Sequence, residues 1–441
     1  MKYFGTDGIR GKIFEDVDHK IAFDCGNSLC ALKSKPRIII GKDTRLSNDY
    51  LTLAFSLGVL YGGGTVVDLG ICPTPGVAYL TKHLGFDFGV MISASHNPPD
   101  NNGIKVFNSY GQKLGDILEQ DLENHFGQYI KCEAMNLKNY IFNPKLVRKY
   151  IDFLQNSLDI DLKNLKIVLD CCNGASCKVA PTVFRKLGAK VFVINSKMDG
   201  EKINVNCGAT NTRQLQESVK NHNADIGLAF DGDSDRLIAV DENGDEVDGD
   251  KIIYVLAKQL KKENKLKNDI VIGTLVTNLG IQKQLNKHSI NIALANIGDK
   301  YVIEKMLETN SILGGEKSGH IILLNHLPTG DGILAGIQLA GVLKKNNCKF
   351  SALCDVKLYP QVNISIKVKD KDMIFEDKTL KQLIDEIESK NNQSVRVLVR
   401  KSGTEKVIRV MVESEDEKMA NTYANLLEKK VREIDDKNIK K

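Results

Sequence analysis

The chain's 441 residues suffice for about three domains of ordinary size, and 42% hydrophobic with 27% charged residues is the composition of a globular protein with a buried core. Its net charge of +5 is small and its lysines alternate with acids, as in "KLKNDI" and "EKKVREIDDKNIKK", which argues against a nucleic-acid or membrane surface. No apolar run approaches the roughly twenty residues that cross a bilayer, and "MKYFGTDGIRG" lacks an apolar signal core, so a cytoplasmic protein is expected.

Strands are expected at "RIIIG" (37–41), "TVVDLG" (65–70) and "FGVMISAS" (88–95), short apolar runs that end in small or polar residues. Between the first two, "NDYLTLAFSLGVLYGGG" has helical apolar spacing and stops at glycines. The pattern restarts with "KIVLDCCNGA" (166–175), "KVFVIN" (190–195) and "DIGLAFDGDSDR" (225–236), with "APTVFRKLGA" as an intervening helix. The ten cysteines are dispersed, and the densest group, Cys171, Cys172 and Cys177, has no second cluster at zinc spacing, so buried reduced thiols are expected. A third cycle runs through "DIVIGTLVTN" (269–278), "NIALANIGDKY" (291–301) and "SILGGEKSGH" (311–320). Such alternation predicts α/β domains on mixed, mostly parallel sheets. After about residue 360 the pattern becomes "VNISIKVK", a helix "EDKTLKQLIDEIESK", then "SVRVLVRKSG", "KVIRVMVES" and a charged closing helix. Three similar α/β domains (1–150, 151–252, 253–360) and a smaller α+β domain (361–441) are expected.

Ligands of open α/β sheets sit beyond the carboxyl ends of strands, which directs attention to four loops. The first is "GVMISASHNPPDNNGIK" (89–105). Small neighbours Ser93 and Ala94 leave room for a large group at Ser95, whose hydroxyl needs an activator to act as a nucleophile. His96, next to it on an extended segment, points to the opposite side, and the flanking Ser93 and Asn97 exclude a Gly-x-Ser-x-Gly elbow. Asn102-Gly103 reads as a turn that brings Lys105 back toward the serine. Taken alone, this peptide fits a polar capping loop as well as a catalytic one.

In the second loop Asp231, Asp233 and Asp235 alternate after an apolar strand, followed by Arg236. Clustered carboxylates raise one another's pKa unless a cation neutralises them, and hard oxygen ligands suit Mg²⁺, particularly beside a phosphate. An EF-hand would use Glu242 at its twelfth position but needs Gly where Arg236 stands. The third loop, "GGEKSGH", offers Glu316 and Ser318 to sugar hydroxyls, or is a plain turn. In the fourth, "RKSGTEK", Arg400, Ser402, Gly403 and Thr404 can supply donors to a phosphate, or form an ordinary hairpin. Together the four suggest phosphoryl transfer on a phosphorylated polyol.

These loops resemble those of the α-D-phosphohexomutase superfamily, and the likeness spans essentially the whole chain: "FGTDGIRG" (4–11), "MISASHNP" (91–98), "DGDSDR" (231–236), "GDKYV" (298–302) and "RKSGTE" (400–405). The resemblance implies a four-domain, heart-shaped enzyme with one loop per domain lining a central cleft. It implies Ser95 as a phosphoserine, with Asp231, Asp233, Asp235 and the serine phosphate as ligands of one Mg²⁺. Arg10 and Arg236 match arginines near the reacting phosphate, and Lys105 and His320 match proton-transfer residues. Glu316 and Ser318 match the sugar readers, and Arg400, Ser402, Gly403 and Thr404 the clamp on the other phosphate. Lys42 and Arg45 of "GKDTR" match a first-domain motif without an assigned role.

The substrate implied is an amino-sugar phosphate, converted between its 6- and 1-phosphates through a 1,6-bisphosphate that is also the activator. A homodimer, with neither nucleic acid nor membrane as partner, is implied as well. The alternatives are a glucose- or mannose-phosphate mutase on the same scaffold, or a non-catalytic Ca²⁺ or sugar-phosphate binding module. One departure stands out: Lys406 follows the clamp where relatives carry proline, which frees φ and adds charge there.

Overall fold

The computed structural model describes residues 2–5, 7–391, 394–402 and 406–437; Gly403 and Thr404 therefore lie outside the described residues. The chain divides into two compact units, one of Met1–Thr274 with Ala293–Asp355, the other of Leu275–Ile292 with Val356–Lys441. Among the described residues no helix is long and apolar enough to cross a membrane.

The first unit opens with β1 (Phe4–Gly5), β2 (Gly8–Lys12), β3 (Arg37–Lys42), β4 (Thr65–Ile71), β5 (Phe88–Ile92), β6 (Asn101–Asn108) and β7 (Tyr140–Phe142), in the sheet order β1-β2-β6-β5-β3-β4-β7. Strand β3 runs parallel to both β4 and β5, and Ile38, Ile39 and Ile40 are all fully buried. A parallel strand covered on both faces needs such a continuous apolar run. The helix Asn48–Tyr61, which ends at Gly62, packs beside His19–Leu32.

Strand β6 departs from expectation. Asn102 and Gly103 lie within it and pair antiparallel with Gly11 and Arg10, so they form no turn. The reversal falls earlier, between Ser95 and Asp100. Glycine is needed at 103 for packing, because a Cβ there would stand 2.5 Å from the Ile9 carbonyl oxygen and 2.8 Å from that of Ser93.

The next sheet holds β8 (Lys166–Asp170), β9 (Lys190–Ile194), β10 (Ile226–Phe230), β11 (Leu237–Asp241) and β12 (Glu246–Val247), ordered β12-β11-β10-β8-β9. Strands β8, β9 and β10 are parallel, while β11 folds back antiparallel on β10. The helix expected over "APTVFRKLGA" starts earlier, at Ser176, and carries Pro181 inside it. A third sheet comprises β13 (Ile270–Thr274), β14 (Asn291–Ala295), β15 (Leu313–Gly315) and β16 (Ile321–Leu323) in the order β14-β13-β15-β16. The ten cysteines are unbridged, and seven of them, Cys171, Cys172 and Cys177 included, are buried.

The second unit carries β17 (Gln361–Lys367), β18 (Val395–Lys401) and β19 (Val407–Ser414), all antiparallel in the order β17-β19-β18. Ile366, Ile408 and Val410 of this sheet share a core with Leu427 and Val431 of the helix Glu417–Lys437. The helix expected from 376 to 390 forms as Lys378–Lys390, and a short one, Lys371–Glu376, precedes it. Asp377 separates them by capping the second, accepting from the Thr379 and Leu380 amides. Segment Leu275–Ile292 is tied in by polar contacts. Asn278 Oδ1 accepts from the Tyr359 amide (2.9 Å), the Leu279 amide donates to Glu413 Oε1 (2.8 Å), and Arg396 donates to the Thr277 carbonyl (2.9 Å).

Candidate active site

Strand β5 stops at Ile92, and Ser95 beyond it has φ of +52°. This left-handed conformation is unusual for a residue with a Cβ and persists only where surroundings impose it. Because the segment is not extended, His96 does not point away: its Nδ1 lies 3.3 Å from Ser95 Oγ. Burial first, then Arg236 and Arg10, hold the His96 pKa down to about 4, so the ring is neutral at pH 7. The serine is fully buried, and its hydroxyl donates to Asp231 Oδ2 at 2.6 Å. Antiparallel pairing of β5 with β6 sets Met91 opposite Lys105.

The loop after β10 gathers the acids. One carboxylate oxygen from each of Asp231, Asp233 and Asp235 lies within 4.8 Å of the others, and all three side chains are buried. Thr74 Oγ1 donates to Asp233 Oδ2 (2.6 Å), and Lys105 Nζ donates to the same oxygen (2.8 Å) and to Asp235 Oδ2 (3.1 Å). Two acceptors remain: Asp233 Oδ1 and Asp235 Oδ1 are buried without a hydrogen-bond partner among the described residues. Three buried carboxylates with two bare oxygens are the donor set a small hard divalent cation requires, so the residues fit Mg²⁺. The mismatch with an EF-hand extends beyond Arg236: β11 begins at Leu237, and Glu242 accepts from the amide and hydroxyl of Ser351 (3.1 and 2.6 Å).

Burial, then Asp235 and Asp233, raise the Asp231 pKa well above the ordinary carboxylate value. Asp235 moves the other way: burial opposes ionisation, but Lys105 and His320 outweigh it and hold the pKa well below that value. Lys105, which the resemblance matches to a proton-transfer residue, is not poised as a base. Burial does disfavour its charge, yet Asp233, Asp235 and Asp7 prevail and raise it, so Lys105 keeps its proton. At His320 burial is likewise outweighed by Asp235 and Asp299, and the pKa rises; Nδ1 lies 3.7 Å from Asp235 and Nε2 3.5 Å from Asp299.

Arg10 pairs with Asp7, and Lys113 bridges Asp7 and Asp299. Arg10 Nε and Arg236 Nε are buried N–H groups without partners among the described residues, so each has a donor left for an anion. In the third loop Glu316 Oε1 accepts from the Gly298 amide (3.0 Å) and adds to the field at Arg236, while Ser318 is exposed. Ser95, the triad, Lys105, Arg10, Arg236 and His320 thus form one network of contacts.

The fourth loop belongs to the second unit. Arg400 of β18 stands opposite Arg409 of β19, and burial, then Arg409, lower its pKa. Ser402 is buried, its amide donating to the Val407 carbonyl (2.9 Å) and its carbonyl accepting from Lys371 Nζ (2.7 Å). Lys406 is exposed, and its carbonyl accepts from the Val368 amide (3.0 Å).

Asp7, Thr74, Lys113 and Asp299 join the site without having been singled out from the sequence, although Asp7 and Asp299 stand inside the quoted "FGTDGIRG" and "GDKYV". Lys42 instead pairs with Asp49 (2.8 Å) and Asp68 (3.4 Å).

Known proteins match the chain over nearly its whole length. Residues 1–131, 148–244 and 248–359 match the phosphoglucomutase/phosphomannomutase alpha/beta/alpha domains I, II and III, and residues 364–430 the C-terminal domain. Fold and site define the class: the chain belongs to the phosphoglucomutase/phosphomannomutase family, the α-D-phosphohexomutases. It is 44% identical to phosphoglucosamine mutase of Alkaliphilus oremlandii, over 98% of this chain and 99% of that one, and 42% identical to that of Clostridioides difficile at the same coverage. Within the family it falls in the phosphoglucosamine mutase branch.

Among solved structures, a phosphoglucomutase/phosphomannomutase family protein from Burkholderia thailandensis shares the fold with a TM-score of 0.81 at 22% identity, over 97% of each chain. Aspergillus fumigatus N-acetylphosphoglucosamine mutase in complex with GlcNAc-6P and magnesium has a TM-score of 0.67 at 17% identity, over 98% of this chain and 96% of that one.

Proposed function

We propose that the protein interconverts glucosamine 6-phosphate and glucosamine 1-phosphate through a phosphoserine at Ser95, in the cytoplasm, supplying UDP-N-acetylglucosamine synthesis. The observation that carries this reading is a buried serine hydroxyl bonded to Asp231, in a network where Asp233 Oδ1, Asp235 Oδ1, Arg10 Nε and Arg236 Nε have no hydrogen-bond partner among the described residues. A metal would satisfy the carboxylate oxygens and a phosphate the guanidinium N–H groups. The branch of the family favours glucosamine over glucose or mannose.

Phosphorylated Ser95 donates its phosphoryl group to the C1 hydroxyl of glucosamine 6-phosphate. The Oγ–P bond breaks, a bond from P to the C1 oxygen forms, and the hydroxyl proton passes by way of His320 to the departing Ser95 Oγ, giving the 1,6-bisphosphate. After the sugar reorients, its C6 phosphoryl group returns to Ser95 and glucosamine 1-phosphate departs. Arg10 and Arg236 bind the oxygens of the transferring group, and Lys105 remains an ammonium that offsets the charge of Asp233 and Asp235. Proton movement falls to His320, between Asp235 and Asp299. Mg²⁺ held by Asp231, Asp233, Asp235 and the serine phosphate would supply a Lewis acid for the phosphoryl oxygens.

Glu316 and Ser318 read sugar hydroxyls, while Arg400, Ser402, Gly403 and Thr404 hold the phosphate that is not reacting. The four loops belong to domains 1–150, 151–252, 253–360 and 361–441. We expect a homodimer, with neither nucleic acid nor membrane as partner.

Turnover of glucosamine, glucose and mannose 6-phosphates, with a hexose 1,6-bisphosphate activator and Mg²⁺, tests the reading. Glucosamine should give the highest kcat/KM; a clear preference for either other sugar sinks it. Arg400→Ala should raise KM about 10- to 100-fold, the worth of one or two charge-assisted hydrogen bonds. Steady-state kinetics on that variant checks it.

A further inference from the structure

The backbone of Ser95 is held by side chains rather than by a strand or helix. Its amide donates to Ser93 Oγ (2.8 Å), and Ser93 Oγ donates in turn to Asp43 Oδ2 (2.6 Å). The same carboxylate oxygen accepts from Arg45 Nε (3.0 Å), and Arg45 Nη2 returns to the Ser95 carbonyl (3.0 Å). The path from Asp43 through Ser93, Ser95 and Arg45 closes into a ring around one residue. Arg45, whose side chain is fully buried, also donates to the carbonyls of Asn97 (2.8 Å), Pro98 and Asn101 (2.9 Å).

A second arm arrives from the segment after β9. Asn204 Nδ2 donates to the carbonyls of Ser95 (2.8 Å) and Asn97 (3.0 Å), and Asn204 Oδ1 accepts from Cys172 Sγ (2.9 Å). Gly232, inside the aspartate loop, closes the remaining side, since a Cβ there would lie 2.6 Å from the Ser95 carbonyl oxygen.

We propose that Asp43, Ser93, Arg45 and Asn204 are positioning residues that fix the left-handed backbone of Ser95, and so aim Oγ at Asp231 for phosphoryl transfer. The inference rests on the phosphoserine reading above. A left-handed serine is intrinsically strained, and side chains gripping both its amide and its carbonyl supply what a regular element would otherwise provide. The aim matters because an in-line transfer loses about 10²-fold in rate for a displacement near 1 Å. The grip bears on the reacting serine and on no part of the sugar, so its loss should appear in kcat and not in KM.

Asn204→Asp makes the cleanest test. It keeps the side chain's shape, its acceptor for Cys172 and a residue type that tolerates the local φ of +60°, and it removes both donors. We expect kcat to fall about 10-fold or more, with KM for glucosamine 6-phosphate and the melting temperature close to those of the parent. Ser93→Ala, which cuts the ring at another point, should do the same. Cys172→Ser, which can still donate to Asn204, should keep near-parental kcat.

Parental kcat in both Asn204→Asp and Ser93→Ala overturns the proposal, as does a fall in kcat that only tracks loss of folded protein. The parent, assayed alongside with intact-mass detection of phosphate on Ser95, separates the two readings. An inactive, unphosphorylatable parent refutes the phosphoserine reading, whereas an active parent with equally active variants refutes the positioning role alone.

Discussion

Ser95→Ala should fold as the parent does and lose turnover by roughly 10³-fold or more, the scale on which removal of a covalent nucleophile acts. The side chain is small and buried, so little packing is lost, and the amide and carbonyl that carry the loop's contacts remain. Asp231 loses one hydroxyl donor but keeps the Arg236 amide at 3.1 Å. Circular dichroism and melting temperature would establish the fold, and a coupled assay the rate. The variant should also fail to gain 80 Da of phosphate (about HPO₃) when treated with a hexose 1,6-bisphosphate. Near-normal activity in Ser95→Ala would falsify the phosphoserine role.

Mg²⁺ should be needed for turnover and should also stabilise the fold. Three buried carboxylates converge within 4.8 Å, and Lys105 is donor to only two of them. Asp231 is the one whose charge is most disfavoured, its pKa raised by burial and by Asp235 and Asp233. A folded-state carboxyl pKa above the unfolded value means that ionisation weakens the fold as pH rises, so at pH 7 in metal-free buffer this charge is a cost. Asp231→Asn should therefore abolish activity while raising, or at least not lowering, the melting temperature measured in EDTA. Adding Mg²⁺ should raise the parent's melting temperature and move the variant's much less. If Mg²⁺ shifts parent and variant equally, the triad is not the metal site.

The parts of the site legible in the sequence were those whose signal is local. Asp231, Asp233 and Asp235 alternate directly after a buried strand, and Ser95 ends another; carboxyl-end loops of such strands are where ligands bind. Strand β6 was not legible. Asn102 and Lys105 read as loop residues, because nothing nearby in the chain shows how they could be buried. Their partners come from afar: Asn102 Nδ2 donates to Ser47 Oγ and Asn48 Oδ1 (2.7 and 2.8 Å), and Lys105 finds its carboxylates more than a hundred residues on. The role of Arg45 was hidden for the same reason. A buried guanidinium serving four carbonyls resembles any basic residue in a turn until the loop it grips is placed beside it.

The interleaving of the second unit bears on how this chain could be recombined with its relatives. Leu275–Ile292 lies far upstream of Val356–Lys441, yet Thr277, Asn278 and Leu279 bond to Arg396, Tyr359 and Glu413. A graft cut only near residue 356 would leave an acceptor carbonyl and an amide donor from the host facing foreign side chains. A transplant that carries both segments keeps every one of those bonds within a single parent.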